Sequence, residues 1–181
     1  MKLLPQFILF LFFNFLTNAI AQENPSVEKN LFKIDFLAPG FTYEYGLSPT
    51  NTLMSGAGLA ASYEYSDYFG STWIVSPFIS EEFRHYYNFE RRIRKGKNIS
   101  RNSANYFGFN VTHYFEPITH QQQNFVNSTN LNALYGFQRT YKAGFNLGFQ
   151  VGVGYSIAKS DDDGFYPYFR FTIGWVLGKN K

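Results

Sequence analysis

The sequence has no cysteine among its 181 residues, and only 16% of them are charged. Without cysteine there are no disulfides, and no cysteine can carry a lipid after processing. The charged fraction is well below the roughly 25% usual in soluble domains. No apolar run reaches the ~18 uninterrupted residues of a membrane helix, and the mean hydropathy is −0.25. These absences exclude a disulfide-stabilised secreted domain and a bundle of membrane helices.

Aromatic residues are abundant instead, and they alternate with small or polar ones. The stretch GFNLGFQVGVGYSI, residues 144–157, carries an apolar or aromatic residue at every second position from Phe145 to Ile157. This period of two predicts a β-strand with one face in an apolar medium. The opposite face holds Gly, Asn, Gln and Ser without a charge, which is unusual for a water-facing strand and suits a narrow barrel interior.

Eight segments show this strand pattern, separated by turn residues. They are residues 31–38, 41–47, 52–65, 72–87, 105–116, 132–141, 144–157 and 164–177. We therefore predict an all-β fold, a closed antiparallel transmembrane β-barrel of eight strands. Glu81 falls on the apolar face of its strand and suggests a β-bulge, and the inward face of 132–141 is ambiguous. A short helix is predicted within NFERRIRKGK.

The N-terminus resembles a targeting segment. Lys2 precedes an apolar stretch, and Ala19-Ile20-Ala21 forms a small-x-small cleavage signal. A membrane anchor is the alternative, but the apolar stretch is short and contains Asn14. We predict a signal peptide over 1–21 cleaved near Ala21, a periplasmic lead-in over 22–30, a barrel over 31–181, and location in the bacterial outer membrane.

Charged and amide side chains on the predicted inner faces form a candidate polar cluster. Its signs are mixed, so that ion pairing inside a lumen is feasible. Two interpretations stay open, a structural filling of the lumen and a gate or polar conduit. The members are Lys33, Asp35, Glu44, Glu82, Arg84, Gln138, Gln150 and Arg170.

Most of the excess positive charge lies in one connection, ERRIRKGKNISR. Its cations are Arg91, Arg92, Arg94, Lys95, Lys97 and Arg101. The segment is interpreted as a solvated turn, or as a site for the phosphates of lipopolysaccharide or for an acidic partner. With eight strands, residues 88–103 would be periplasmic; if the first two segments formed one strand, they would be extracellular. A single local cluster does not predict nucleic-acid binding.

No catalytic, metal-binding or cofactor-binding residue is predicted. His85, His113 and His120 are isolated histidines; an acyl hydrolase needs a histidine near a serine and a carboxylate, and His113 is followed by Tyr114-Phe115 and not by a nearby serine on the same face. Without cysteine or a close histidine pair, a transition-metal site is not expected. The acidic run at 161–163 lacks the spaced ligands of a calcium loop.

Three stretches resemble small outer-membrane β-barrel proteins common in Bacteroidota. They are LFKIDFLAPGFTYEYGLS, SPFISEEFRHYYNFERRIRKGKN and LYGFQRTYKAGFNLGFQVGVGY. The matching features are Pro39-Gly40 before Tyr43-Glu44, the Arg84 to Asn88 run leading into Lys95 to Asn98, and Gly136 with Gln138-Arg139; His85 departs from the usual pattern. The resemblance implies an outer-membrane barrel and no particular activity.

The expected function is that of a non-enzymatic outer-membrane barrel with a structural, adhesive or narrow small-solute pore role. One alternative is an envelope lipid-modifying enzyme of the acyl hydrolase type built on a barrel. The other is a soluble lipocalin-like barrel that binds a lipophilic ligand. The expected partners are outer-membrane lipid and lipopolysaccharide, with the outer-membrane insertion machinery during biogenesis, and we expect a monomer.

Overall fold

The computed structural model describes residues 26–66, 70–119, 127–158 and 163–177. Eight antiparallel strands make up most of this part. They are β1 (Asn30–Asp35), β2 (Gly40–Gly46), β3 (Asn51–Ser66), β4 (Gly70–Tyr86), β5 (Asn105–Tyr114), β6 (Ser128–Thr140), β7 (Phe145–Ala158) and β8 (Gly164–Leu177). The predicted all-β, eight-stranded antiparallel fold is confirmed. The predicted signal peptide and its cleavage site lie outside the described residues.

The strands form one ring-like sheet in sequence order. Each pairs with the next, and β1 also pairs with β8, from Phe32 opposite Leu177 to Asp35 opposite Gly174. Because successive side chains of a strand point to opposite faces, the alternation in the sequence gives this ring a polar inner face and an apolar outer face. On β7, Asn146, Gly148 and Gln150 are buried inside, whereas Phe149 and Val153 are exposed outside.

Strand β4 is regular, and the suggested bulge at Glu81 is wrong. Its pairing with β3 runs without interruption from Asn51 opposite His85 to Ser66 opposite Gly70. Glu81 simply faces outward, where Ser55 Oγ donates a hydrogen bond of 2.9 Å to Glu81 Oε2. Because the outward Glu81 carboxylate has a hydroxyl partner on the neighbouring strand, β4 can place it there without a bulge.

The strand count places both ends of the described chain at one end of the ring. β1 and β2 are separate strands joined by a turn at 36–39, so the alternative in which they form one strand is wrong. The first strand therefore starts, and the last one ends, on the same side as the connection between β4 and β5. We call this side the terminal end of the ring.

The connection at the terminal end contains the helix α1 (Phe89–Arg94) and a 3₁₀ turn over Ser100–Asn102. A second 3₁₀ turn, Lys142–Gly144, joins β6 to β7 at the same end. The β4–β5 connection folds back beneath the ring, and Asn102 is completely buried. Within the described ranges, no helix has the length and apolar character needed to cross a membrane.

Candidate functional site

A buried ion pair joins the first two strands inside the ring. Lys33 on β1 and Glu44 on β2 point inward, with 3% and 0% of their surfaces exposed. Lys33 Nζ lies 2.6 Å from Glu44 Oε2. The same ammonium donates to Gln138 Oε1 at 2.6 Å, from a strand three places away around the ring. The interior is therefore narrow enough for side chains to bridge it.

The Glu44 carboxylate accepts several further hydrogen bonds. Its Oε1 accepts from Tyr86 OH at 2.7 Å, from Thr52 Oγ1 at 2.9 Å and from Asn102 Nδ2 at 2.9 Å. Bonds to an ionised acceptor are about twice as strong as neutral ones. Because Asn102 belongs to the β4–β5 connection, Glu44 ties that connection to the interior of the ring.

A second ion pair lies on β4, where the period of two places Glu82 and Arg84 on the same inner face. Arg84 Nε donates to Glu82 Oε1 at 2.6 Å, and Nη1 donates to Gln138 Oε1 at 3.0 Å. The Arg84 guanidinium also lies over the ring of Tyr106, with Cζ 4.4 Å from the ring centre. Its planar shape lets one side chain hold an anion, an amide and an aromatic face together.

Amide side chains extend the network toward the other strands. Gln150 Nε2 donates to Glu82 Oε1 at 2.8 Å and to Tyr106 OH at 2.9 Å, and Gln150 Oε1 accepts from Tyr168 OH at 3.0 Å. A second chain of bonds joins Asn110, Thr112, Asn132 and Tyr166. Every strand supplies at least one member. β1, β2, β4, β5 and β8 supply a charged or aromatic side chain, β3 supplies Thr52, and β6 and β7 supply the amides Gln138 and Gln150.

The two buried pairs balance in charge. Lys33 and Arg84 are opposed by Glu44 and Glu82, and the pairs approach each other where Arg84 Nη1 lies 3.9 Å from Glu44 Oε2. Removing charges from water is expensive unless each is paired and hydrogen-bonded, as these are. The arrangement holds the inner faces together and fills the cross-section, which favours lumen filling over an open conduit.

An apolar layer, which shares Tyr86 and Tyr106 with the network, packs against it toward the terminal end. Phe89 of α1 stacks on Tyr86, with ring centres 5.3 Å apart. Buried residues from the lead-in, the connection and three strands complete the layer: Val27, Tyr86, Phe89, Ala104, Tyr106 and Leu134. The lead-in is thus part of the packed end of the ring, and this end is closed by side chains.

The connection is held in place by the lead-in. Arg101 N donates to Glu28 Oε1 at 2.6 Å, and Glu28 N donates to Asn102 Oδ1 at 2.7 Å. Arg101 and Asn102 adopt positive φ values of 52° and 57°. Asparagine tolerates this region well, whereas arginine adopts it less often. The bonds to Glu28 and Glu44 stabilise this left-handed bend, which carries Asn102 into the ring.

The structure brings together six of the eight residues predicted for the polar cluster. They are Lys33, Glu44, Glu82, Arg84, Gln138 and Gln150. Asp35 and Arg170 also face inward but are partly exposed, and Arg170 interacts electrostatically with Tyr168, with Glu82 of the second buried pair and with Asp35.

The basic connection divides into exposed and buried cations. Arg91, Arg94, Lys95 and Lys97 are exposed, as a solvated turn requires, and Arg92 is half-buried. Arg101 is only 6% exposed, so its assignment to a solvated turn is wrong. The reason is the left-handed bend, which turns residues 101–104 under the ring.

Sequence reasoning missed several members of the network. Tyr86 and Tyr106 were predictable in part, because they continue the inward alternation of Arg84 and of Asn110. Tyrosines near strand ends usually mark the membrane interface, so the alternation alone does not predict that these hydroxyl groups join a buried network. Asn102 gave no signal, since its burial depends on a backbone bend in an irregular segment.

The histidines do not assemble a reactive site in the described part of the chain. His85 Nδ1 lies 2.7 Å from Asn51 Oδ1, and His113 Nδ1 lies 2.9 Å from Thr129 Oγ1. His120 and the acidic run at 161–162 lie outside that part. Among described residues, no group of three His, Asp or Glu side chains is arranged to hold a metal ion.

The ring with its buried charges was also compared with known proteins. No family model, curated protein or solved structure matches this chain. Functional inference therefore rests on the chain's own geometry.

Proposed function

We propose that this chain is a non-enzymatic outer-membrane β-barrel with a structural role, whose filled lumen does not conduct solutes. The observation that carries the proposal is the reversal of polarity between the two faces of the ring. Buried polar and charged residues outnumber buried hydrophobic ones by 17 to 11 among the described residues. Large hydrophobic side chains lie on the outside.

Large exposed hydrophobic side chains lie on the outer face of every strand except β6, whose outward Leu131, Tyr135 and Phe137 are partly exposed. Residues with more than a third of their surface exposed include Phe32, Phe41, Leu53, Ile79, Phe109, Phe149, Phe169 and Phe171. Soluble monomers rarely expose contiguous apolar patches beyond a few hundred Å². A belt of this kind around an eight-stranded ring suits contact with lipid acyl chains. Glu81 is an exception on the outer face, and its bond from Ser55 lessens the cost of its charge.

Aromatic pairs near both ends of the ring support the same proposal. Tyr63 and Trp73 make an edge contact of 5.3 Å at the end opposite the termini. At the terminal end, Tyr87 stacks on Phe107 at 5.2 Å, and its hydroxyl donates to Tyr135 OH. Tyrosine and tryptophan side chains near both ends of a barrel are typical of the two interfaces between the hydrocarbon core of a membrane and water. With a cleaved signal peptide, the terminal end would face the periplasm.

The interior disfavours two alternative functions. A lipocalin-like barrel needs an apolar interior for its ligand, but this interior contains two ion pairs and a set of amides. A pore needs an open path, but the polar network and the apolar layer around Phe89 both occupy the interior of the ring. Eight strands leave little room beyond their own side chains.

Fractionation and bilayer recording test this proposal together. We expect the chain to be extracted from membranes only by detergent, to migrate faster on a gel before boiling than after it, and to give no current above leak in planar bilayers. A chain that stays soluble and monomeric without detergent would contradict the membrane location. Discrete conductance steps would contradict the filled lumen. Glu90→Gln on the exposed helix α1 is the control, because a current through the lumen should show the same steps in this variant.

A further inference from the structure

A cleft with a volume of about 460 Å³ lies at the terminal end, between the β4–β5 connection and the β6–β7 turn. Three cationic side chains line it, Arg92, Arg139 and Lys142, together with the hydroxyl groups of Ser100 and Ser103. Among the described residues that line the cleft, none is acidic. The Ser100 hydroxyl already donates to Asn98 Oδ1 at 2.8 Å, so the cleft's positive charge is its main feature, and guanidinium and ammonium groups are those that recognise a phosphate.

Both guanidinium groups are held in place by neutral acceptors. Arg92 Nε and Nη2 donate to the Asn98 carbonyl at 3.2 and 2.7 Å. Arg139 Nη1 donates to the Ala104 carbonyl at 2.8 Å, and Nη2 donates to Asn105 Oδ1 at 2.5 Å. Because no carboxylate takes part in these bonds, the two positive charges are oriented but not neutralised. Such preorganisation reduces the entropy that binding an anion would cost.

The cleft opens beside the aromatic outer face of the ring. Tyr141 lines it and is 56% exposed, and its ring centre lies 6.0 Å from that of the outward-facing Phe145. Arg139 lies over Phe137, with Cζ 5.1 Å from the ring centre. A ligand with a phosphate and an apolar tail would contact both the cations of the cleft and the aromatic outer face, whereas free phosphate would contact only the cations.

We propose that this cleft binds the phosphate of a membrane phospholipid, with its acyl chains against the aromatic rim formed by Phe137, Tyr141 and Phe145. Arg92 and Arg139 would hold the phosphate oxygens, and Lys142 would add a third positive charge. The lipid would fix the connection against the end of β6, where Asn98 Nδ2 already donates to the Thr140 carbonyl at 2.9 Å. The inference rests on the proposed membrane location.

Native mass spectrometry of the detergent-solubilised full chain tests this site. The probes are phosphatidylglycerol, diacylglycerol with the same acyl chains, and inorganic phosphate. The site variant is Arg92→Gln with Lys142→Gln. The matched control is Arg91→Gln with Arg94→Gln, which removes the same charge from exposed positions of α1. Arg139 is left unchanged because its guanidinium donates to three acceptors, whereas that of Arg92 donates to the Asn98 carbonyl alone.

We expect phosphatidylglycerol to bind and diacylglycerol not to be retained. The site variant should weaken phosphatidylglycerol binding about tenfold, equivalent to about 1.4 kcal/mol, while the control should bind as the unmodified chain does. Equal losses in both variants would indicate diffuse attraction and overturn the proposal, as would retention of diacylglycerol. Displacement of the lipid by equimolar inorganic phosphate would identify a free-phosphate site and would also overturn it. If the proposed membrane location is wrong, the chain will be soluble without detergent, and this result is distinct from a failure of the lipid site.

Discussion

Replacing Glu44 by glutamine should lower the free energy of unfolding by about 3–5 kcal/mol, the range for a buried ion pair that loses one partner. The substitution keeps the size of the side chain but leaves the ammonium of Lys33 without its anion. It also points an amide NH₂ at groups that all donate hydrogen bonds to Glu44: Lys33, Thr52, Tyr86 and Asn102. Denaturant titration of the folded chain measures the change.

Glu90→Gln is the matched control for this prediction. Glu90 is exposed on α1, and its contact with Arg94 is long, at 3.9 Å, so the change in free energy should stay within about 0.5 kcal/mol. Lys33→Met should restore part of the loss when combined with Glu44→Gln, because the pair of substitutions leaves no unpaired ammonium. Equal stability of the Glu44 and Glu90 variants would mean that the network does not hold the ring together.

Phe169→Arg should destabilise the folded chain in lipid by about 2–4 kcal/mol, the effect of a cation near the middle of a bilayer. Phe169 lies near the middle of β8 and is 65% exposed on the outer face. In water, the same substitution would remove an exposed aromatic ring and should change stability by no more than about 0.5 kcal/mol. The sign and size of the effect therefore report the medium around the ring.

Phe165→Arg is the control for depth. Phe165 shares the outward face of β8 and is 81% exposed, but it lies next to the first residue of the strand. An arginine there can reach the interface, so the expected loss is about 0–1 kcal/mol. Refolding into vesicles followed by denaturant titration compares both variants. Equal and small effects at the two positions would place the outer face in water.

Strand alternation predicted most of the fold, because each strand separates an apolar from a polar environment. The eighth strand was predicted over 164–177 and is observed as Gly164–Leu177. β6 begins at Ser128 instead of residue 132, since the polar sequence at 128–130 has no alternation and joins the sheet by pairing with its neighbours β5 and β7. Pairing partners are long-range information that a local pattern does not contain.

The candidate site was predictable only where it lies on strands. The inward alternation placed Lys33, Glu44 and Arg84 on the inner face, but it did not predict which cation would pair with which anion. That choice depends on the register between strands and on how they meet across the ring. Asn102 reaches Glu44 through a bend with positive φ, and the sequence of the connection carries no glycine there that would have indicated it.

The buried network and the cationic cleft both contact the β4–β5 connection. Glu44 holds Asn102 inside the ring, and Arg92 and Arg139 hold the outer part of the connection through backbone carbonyls. A bound phosphate would add a third attachment at the membrane surface. The filled interior then keeps the end of the ring closed, which is the structural role proposed for the chain.

Tryptophan fluorescence in vesicles tests the membrane location most directly. The sequence has only two tryptophans, and both lie on the outer face, Trp73 with 64% and Trp175 with 37% of its surface exposed. We predict strong quenching by lipids with brominated acyl chains and weak quenching by aqueous iodide. Strong quenching by iodide, with none by the brominated lipids, would show that the outer face contacts water and would contradict the proposed membrane barrel.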